Sequence, residues 1–382
     1  MVASQVVDAL RALPCGQRLL DAAAGREGAW LVGGAARDLL LGRPPRELDV
    51  AVEGPVDELA QALGGAHRAH DRFGTATVRD RGCAFDLAAT RTETYAHPGA
   101  LPDVRPADID EDLARRDVTV NAIAVRLPDG ELRAAAHALE DLEAGVLRVL
   151  HDRSLEDDPT RLWRLARYAA RLGFTVEQHT AALAAAADPS TVSGERIGAE
   201  VRLALAEPDP CAAFEQAAAL NGALLPEGFA PRPPGVAGAL ALLPPDGRRD
   251  LVILAACCAG MDARALLAWL DRLAFPARDR EIVAAASRES TLAPLRRART
   301  AAEIARAARG APVEGVALAG GENARRWIDD LRHVRLEIDG DDLLAAGVPE
   351  GPEVGERLRR ALERKLDGEL DGRDAELAAA LE

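Results

Sequence analysis

The chain has 382 residues, more than one compact core organises, so two to four domains are expected. It is 48% hydrophobic but only 3% aromatic, and the apolar share, mostly Ala, Leu and Val, favours helices over β-sandwiches. A net charge of −15 argues against a broad, non-specific grip on nucleic acid, while leaving room for a small basic surface segregated on one face. Lys365 is the only lysine among 47 basic residues; the skew reads as GC-rich coding bias, so arginine abundance alone carries no functional weight. Cys15, Cys83, Cys211, Cys257 and Cys258 have no zinc-site or Cys-x-x-Cys spacing and are expected to be buried reduced thiols. No basic start precedes an apolar core at the N-terminus and no stretch approaches a membrane span, so a soluble cytoplasmic protein is expected.

In chain order, residues 1–27 read as one helix with apolar positions at helical spacing. Ala29-Trp30-Leu31-Val32 is a short buried strand; Gly33-Gly34 and a helix over 35–41 follow, stopped by Gly42-Arg43-Pro44-Pro45. Residues 48–52, 75–78 and 84–88 read as strands, the last two around a turn at 79–82. The stretch 96–110, rich in Pro, Gly and Asp, reads as a mobile loop, and 121–125 as another strand. Residues 1–145 are thus a mixed α/β domain. Helical periodicity then takes over at 162–172, 179–187, 195–206 and 212–220, the proline-rich 225–247 is a candidate linker, and helices resume from Leu251 without an internal repeat.

Five groups carry chemistry. In Gly33-Gly34-Ala35-Ala36-Arg37-Asp38, a strand, two glycines and a helix start offer backbone N–H groups to phosphate, and Arg37 on the first turn could clamp a triphosphate; a tight turn capping a helix is the plainer alternative. In Glu47-Leu48-Asp49, two acids two residues apart share one strand face and repel unless a cation lies between them; two divalent metals would activate an attacking hydroxyl and neutralise a triphosphate. The alternative, a solvated edge strand, is weakened because Leu48 and Val50 face the core. Asp86, within Phe85-Asp86-Leu87, is either a third metal carboxylate or a satisfied surface acid. In Arg115-Arg116-Asp117 with Asn121 downstream, adjacent arginines before an acid suit phosphate and ribose hydroxyls, or simply end a helix with cations.

The fifth group is Asp157-Asp158-Pro159-Thr160-Arg161, continuing to Arg164 and Arg167. Asp157 is the expected N-cap with Pro159 in the first turn, and Asp158, Arg161 and Arg164 are expected along one helix edge, extended by Arg167. An Asp accepts from an exocyclic amine and an Arg donates to a ring nitrogen or carbonyl oxygen. C and A carry an amine beside an acceptor on the pairing edge; U and G do not. An Asp158–Arg161 pair would therefore choose C or A without a template, each good base-edge pairing being worth about 1–3 kcal/mol of discrimination. A capped, salt-bridged helix is the alternative.

Taken in order, LVGGAARDLLLG, ELDVAVEG, FGTATV, FDLAATRTETY, EDLARRDVTVNAIAV, DDPTRLWRLARYAARLGF, SGERIGAEV and IDGDDLLAAGVPEGPEVGERL resemble the class II tRNA nucleotidyltransferase and bacterial poly(A) polymerase family across nearly the whole chain. The resemblance implies an α/β nucleotidyltransferase-type head (1–145) followed by an all-α neck (146–225), body (226–295) and tail (296–382), the last two holding the tRNA acceptor arm. It implies Mg²⁺-dependent addition of C and/or A from CTP and ATP to the tRNA 3′ end. By position, Gly33, Gly34 and Arg37 match phosphate contacts, and Glu47 and Asp49 the metal carboxylates, with Asp86 beside them. Arg116, Asp117 and Asn121 match the nucleotide-binding RRD segment, Asp158 and Arg161 the base-reading pair, and Arg164 and Arg167 further nucleotide contacts. The chain departs from the family at Glu47, where Asp is usual, at Val118, where Phe is usual, and at 134–138, where an Asp-Pro-x-x-Gly turn is replaced.

Within that family, CCA, CC-only, A-only and poly(A) addition are open, with a non-catalytic RNA-binding paralogue as the rival that Glu47 favours. The acidic, compact chain argues against poly(A) addition, and an HD-type phosphohydrolase is excluded because only His333 follows His179. Candidate tRNA contacts are three basic runs: Arg296, Arg297, Arg299, Arg306 and Arg309; Arg325, Arg326, Arg332 and Arg335; and Arg357, Arg359, Arg360, Arg364 and Lys365.

Overall fold

A computed structural model describes residues 3–64, 66–70 and 74–382; Met1 and Val2 of the expected first helix and Phe73 of the FGTATV segment lie outside the described residues. The chain divides into two compact units, Met1–Leu225 and Pro226–Glu382.

The first unit opens with α1 (Ala3–Arg11) and α2 (Gly16–Ala23) in place of one helix. Pro14 lacks the N–H a continuing helix needs, and the chain folds back so tightly that a Cβ on Gly16 would lie 1.6 Å from the Leu10 carbonyl oxygen. β1 (Ala29–Val32), α3 (Gly33–Leu40), β2 (Leu48–Val52), α4 (Asp57–Leu63), β3 (Ala66–His70), β4 (Thr75–Asp80) and β5 (Cys83–Ala89) follow. Then come β6 (Arg91–Thr94), β7 (Asp103–Pro106), α5 (Ile109–Ala114), β8 (Ile123–Arg126), β9 (Leu132–Ala134) and α6 (Ala138–Ala144). The main sheet runs β3-β4-β5-β2-β1-β8-β9, antiparallel except for the parallel β2–β5 pair. Alternation along the strands sends Leu31, Val50, Phe85 and Leu87 to one face, packed with residues of α1 to α4, and Trp30, Val32 and Ala51 to the other, packed with Ile109 and Leu113. Each such large side chain contributes roughly 1.5–3 kcal/mol by leaving water.

Three expectations change here. The stretch 96–110 is only in part a loop: β7 pairs antiparallel with β6, Thr94 opposite Asp103, and α5 begins at Ile109 behind a capping box from Asp108, which leaves 95–102 as the connection between the strands. Asn121 closes a 3₁₀ turn, Thr119–Asn121, and the strand begins at Ile123. Cys15 and Cys83, half-buried, form a disulfide with Cα atoms 5.6 Å apart, tying the start of α2 to the start of β5 beside an Arg18–Asp80 ion pair. Their separation of 68 residues hides the pair from any reading of local spacing. Cys211, Cys257 and Cys258 are buried and outside disulfides, as expected.

Helices complete the unit: α7 (Ser154–Asp157), α8 (Thr160–Leu172), α9 (Gln178–Ala186), α10 (Gly194–Leu205) and α11 (Pro210–Leu220), with one small parallel pair, β10 (Val146–Leu147) and β11 (Thr175–Val176). Trp163 on α8 meets Phe214 on α11 edge to face, 6.2 Å between centroids.

The second unit is helical: α12 (Val236–Leu242), α13 (Arg249–Cys257), α14 (Ala263–Arg272), α15 (Ala277–Ala286), α16 (Glu289–Arg297), α17 (Ala301–Ala308), α18 (Val313–Ala319), α19 (Gly321–Asp329), α20 (Gly340–Ala345), α21 (Pro352–Leu366) and α22 (Arg373–Leu381). Val252, Ile304, Val316 and Ile328 belong to one apolar cluster, and Ile338, Leu343, Ala361 and Ala380 to a second. The stretch read as a linker contains α12, whose Ala239 is buried in the first cluster.

Candidate active site

The site builds from β2 outward. Leu48 and Val50 point into the core, so Asp49 points to the other face, and Glu47 lies just before the strand. In the parallel β2–β5 pair, Asp86 stands opposite Asp49, and paired residues send side chains to the same face. One oxygen from each of Glu47, Asp49 and Asp86 therefore falls within 4.8 Å of the others. Asp86 also accepts from the Thr77 hydroxyl at 2.7 Å across β4–β5. Burial first, then the charges of Glu47 and Asp86, push the Asp49 carboxyl up to about 6; Arg116 and Arg164 partly oppose this. Three mutually repelling carboxylates on one face gain from a divalent cation, and an all-oxygen set fits Mg²⁺. Glu47, although longer than the Asp of the family pattern, reaches the cluster.

Glu47 and Asp49 lie on a cavity of about 690 Å³ that also takes in Gly33, Gly34, Arg116, Asp158 and Arg164, while Asp86 lines an adjoining pocket that shares Asp49 and Arg116. Gly33 has φ +61°, and a Cβ there would sit 3.1 Å from an Arg116 guanidinium nitrogen, so the glycine keeps backbone close to that cation. α3 starts at Gly33, two residues earlier than expected, which moves Arg37 off the first turn. Arg37 is buried, with Nε 2.8 Å from Asp38, Nη1 2.6 Å from the Asn121 amide oxygen, and its guanidinium over the Tyr168 ring. It lines the cavity as a fixed positive charge instead of a swinging clamp. Asp112 holds Arg116 at 2.8 Å and Arg115 at 2.6 Å; the Arg116 Nε is buried with no partner.

Asp117 is a hub. It accepts from the Asn121 amide (3.1 Å), Arg164 Nε (2.7 Å) and the Tyr168 hydroxyl (3.0 Å). Burial would raise its pKa, but Arg164, the Asn121 amide and Arg161 outweigh burial and hold the carboxyl well below the usual carboxylate range. Arg164 itself keeps 40% of its side chain exposed. Arg167 turns onto Glu200 (2.6 Å) and Glu207 (3.3 Å). Glu207 also draws Arg171 and Arg46 to the cavity wall.

The expected arrangement at residues 157–161 is corrected. Asp157 ends α7 and pairs with Arg153; Pro159, with helical φ, occupies the N-cap position of α8. Asp158 is extended, off the helix edge, and its Oδ1 accepts the Thr160 N–H and hydroxyl at 3.1 and 2.7 Å. Arg161 is buried, donating to the Ser154 hydroxyl and the Arg115 carbonyl, both at 2.7 Å. Asp158 and Arg161 both line the cavity. Asp112, Glu93, Tyr168, Arg196, Arg46, Arg171, Glu200 and Glu207 were not singled out from sequence. The arginine pair calling for a counter-charge was the signal for Asp112, and SGERIGAEV contains Arg196 and Glu200.

In the second unit most basic residues are spoken for. Arg306 and Arg309 share Glu363, Arg332 pairs with Asp246, Arg296 with Glu289, Arg357 with Glu353 and Arg364 with Glu369 and Glu382. Lys365 is held by Glu376, which is fully buried, so it is structural. Arg335 donates to the Arg332 and Val334 carbonyls. Arg297, Arg299, Arg325, Arg326, Arg359 and Arg360 are exposed, and their side chains make no ion pair among the described residues.

The Poly A polymerase head domain family matches residues 29–148. The CCA-adding enzyme of Lactobacillus delbrueckii subsp. bulgaricus is 30% identical over 386 residues, spanning 92% of this chain and 93% of that protein. The chain belongs to the tRNA nucleotidyltransferase and poly(A) polymerase family. The A-adding tRNA nucleotidyltransferase of Halalkalibacterium halodurans is 41% identical over 205 residues, covering 50% of this chain. That match spans only about half of the relative, 48% of its length. Among solved structures, the Thermotoga maritima CCA-adding enzyme complexed with tRNA superposes with a TM-score of 0.73 at 25% identity, covering 100% of this chain and 98% of that one. No described helix is long and apolar enough to cross a membrane.

Proposed function

We propose that the protein is a template-independent tRNA nucleotidyltransferase that transfers C and A from CTP and ATP to the tRNA 3′ end. The observation that carries this reading is one cavity lined by Glu47, Asp49, Gly33, Gly34 and Asp158, with an Asp86 carboxylate oxygen within 4.8 Å of those of Glu47 and Asp49. In the reaction the terminal 3′-oxygen of tRNA bonds to the α-phosphorus, the bond to pyrophosphate breaks, and the hydroxyl proton is released. Magnesium held by Glu47, Asp49 and Asp86 would acidify that hydroxyl and neutralise triphosphate charge. Gly33 and Gly34 present N–H groups, and Arg116 and Arg164 offer cations to the triphosphate, while Arg37, Asp117, Asn121 and Arg167 fix the cavity wall. Asp158 Oδ2 accepts the exocyclic amine of C or A, and a spare N–H of Arg161 meets the neighbouring acceptor.

We keep the division into head (1–145), neck (146–225), body (226–295) and tail (296–382), and assign the tRNA grip to the unpaired second-unit arginines and the protein to the cytoplasm. Addition of only part of CCA, CC alone or the terminal A alone, is a second reading: an A-adding relative is 41% identical over 205 residues and a CC-adding one 44% identical over 192. The test is incorporation onto tRNAs ending before CCA, after the first C and after CC, with CTP, ATP or both. Addition of C, C and A to the shortest substrate establishes the full reaction. Growth of the CC-ended substrate alone establishes A-only addition, extension of the shorter substrates that stops at CC establishes CC-only addition, and no incorporation anywhere removes every one of these readings.

A further inference from the structure

Asp158 projects into the cavity from an extended junction between α7 and α8, where little backbone constrains its side chain. Its carboxylate is nevertheless oriented. Oδ1 accepts from the Thr160 N–H at 3.1 Å, from the Thr160 hydroxyl at 2.7 Å and from Arg196 Nη2 at 2.9 Å. No hydrogen bond reaches Oδ2 from a described residue. Arg196 comes from the first turn of α10, and its Nη1 donates to the Gly99 carbonyl at 3.0 Å in the β6–β7 connection. Gly99 has φ +72°, donates its own N–H to the Asp157 carbonyl at 3.1 Å, and leaves no room for a Cβ, which would lie 2.4 Å from the Thr191 carbonyl oxygen. One guanidinium therefore bridges the β6–β7 connection, the α7–α8 junction and α10.

A carboxylate only accepts hydrogen bonds, and it accepts as readily from the ring N–H of U or G as from the amine of C or A. Discrimination by Asp158 therefore depends on where its single open oxygen lies. We propose that Arg196 is the positioning residue for base selection: by occupying Oδ1 it leaves only Oδ2 for the nucleotide, at a place fixed by Gly99 and α10. The inference rests on the base-reading role of Asp158 proposed above. The Arg196 and Asp158 side chains keep 25% and 18% exposure, and Asp158 keeps its Thr160 hydrogen bonds when Arg196 is removed, so the change expected is chiefly geometric.

The experiment compares wild type with Arg196→Ala, Arg196→Lys and Gly99→Ala, measuring kcat and KM for all four nucleoside triphosphates on tRNA lacking its 3′ nucleotides. Thermal melting and tRNA affinity serve as controls. Arg196→Ala is expected to lower discrimination against UTP and GTP about 10-fold or more, with melting and tRNA affinity near wild type. Arg196→Lys, a single point charge without the two-pronged fork, keeps the melting behaviour but does not restore discrimination. Gly99→Ala, which leaves Arg196 in place and removes its seat, shifts discrimination the same way by less. Wild-type discrimination in both Arg196→Ala and Gly99→Ala, or an equal fall in kcat for all four nucleotides, overturns the inference while leaving the reaction intact. Failure of wild type to incorporate any nucleotide overturns the reading of the site and the inference together.

Discussion

In the first unit, Arg37, Arg115, Arg161 and Arg167 are committed to Asp38, Asp112, Ser154 and Glu200 around the cavity, whereas in the second, Arg297, Arg325, Arg326 and Arg360 stand exposed without ion pairs among the described residues. Burying a guanidinium is costly unless its hydrogen bonds are met. The first unit meets that cost with a connected network, and the return is a cavity whose charges are already placed when substrate arrives. Exposed arginines hold no geometry. They suit contacts to phosphate that form and release, with salt-sensitive strength. The same residue type thus suits preorganisation in one unit and, in the other, the reversible grip proposed above.

The largest effect should come from emptying the carboxylate cluster. Asp49→Ala is expected to abolish nucleotide addition, a loss of about 1,000-fold or more, while tRNA affinity, assigned to the second unit, stays near wild type. Single-turnover incorporation and filter binding measure the two sides, and full activity in the variant would remove the metal assignment. Next is the network itself. Asp117→Ala leaves the buried Tyr168 hydroxyl and the half-exposed Arg164 without their acceptor, and should destabilise the first unit by about 1–3 kcal/mol at neutral pH. The Asp117 pKa lies below its unfolded value of about 3.9. Its stabilisation is therefore complete above about pH 4 and is lost as pH falls toward the folded value. Denaturant unfolding at pH 7 and pH 3 should show the gap between variant and wild type shrinking in acid; a constant gap would mean that the charge of Asp117 is not what holds the network.

Much of the head was legible. The strand at Ala29–Val32 and the one at Leu48–Val52 match the reading residue for residue, because short apolar runs ended by Gly-Gly or entered from charged turns leave few alternatives. Two-residue periodicity likewise put Glu47 and Asp49 together. Asp86 stayed ambiguous because its place depends on the parallel β2–β5 register, a non-local pairing with no local signature. The same holds for the Cys15–Cys83 bond and for Arg196, which meets Asp158 from 38 positions along the chain. At residues 157–161 the local rules competed: Asp157 is a good capping residue, yet Pro159 disfavours the helical region for the residue before it, so Asp158 is extended with φ −135°, the helix starts after it and Asp158 is left to face the cavity.

That placement gives a sharper, smaller prediction inside the first unit. Asp158→Ala removes the open oxygen without touching the carboxylate cluster or Asp117. Discrimination against UTP and GTP should fall by about 1–3 kcal/mol, roughly 5- to 150-fold, with triphosphate affinity reduced less. Competition between CTP and UTP for one tRNA end measures it directly, and unchanged selectivity would take the base-reading role away from Asp158.

The smallest effect per residue belongs to the second unit, and salt separates it from the rest. Arg325 and Arg326 sit next to each other on α19, exposed and without ion pairs among the described residues. If they neutralise tRNA phosphates, replacing both with Ala weakens tRNA binding and flattens the dependence of log affinity on log salt by about 1 for each residue. Arg306→Ala is the contrast: its partner Glu363 already occupies it, so its loss should leave the slope nearly unchanged. Neither change should alter nucleotide choice, which is assigned above to Asp158 in the other unit. Equal slopes for the Arg325/Arg326 double variant and wild type would show that exposure without a counter-ion does not mark the RNA contacts, and that paired arginines exchange their carboxylates for phosphate.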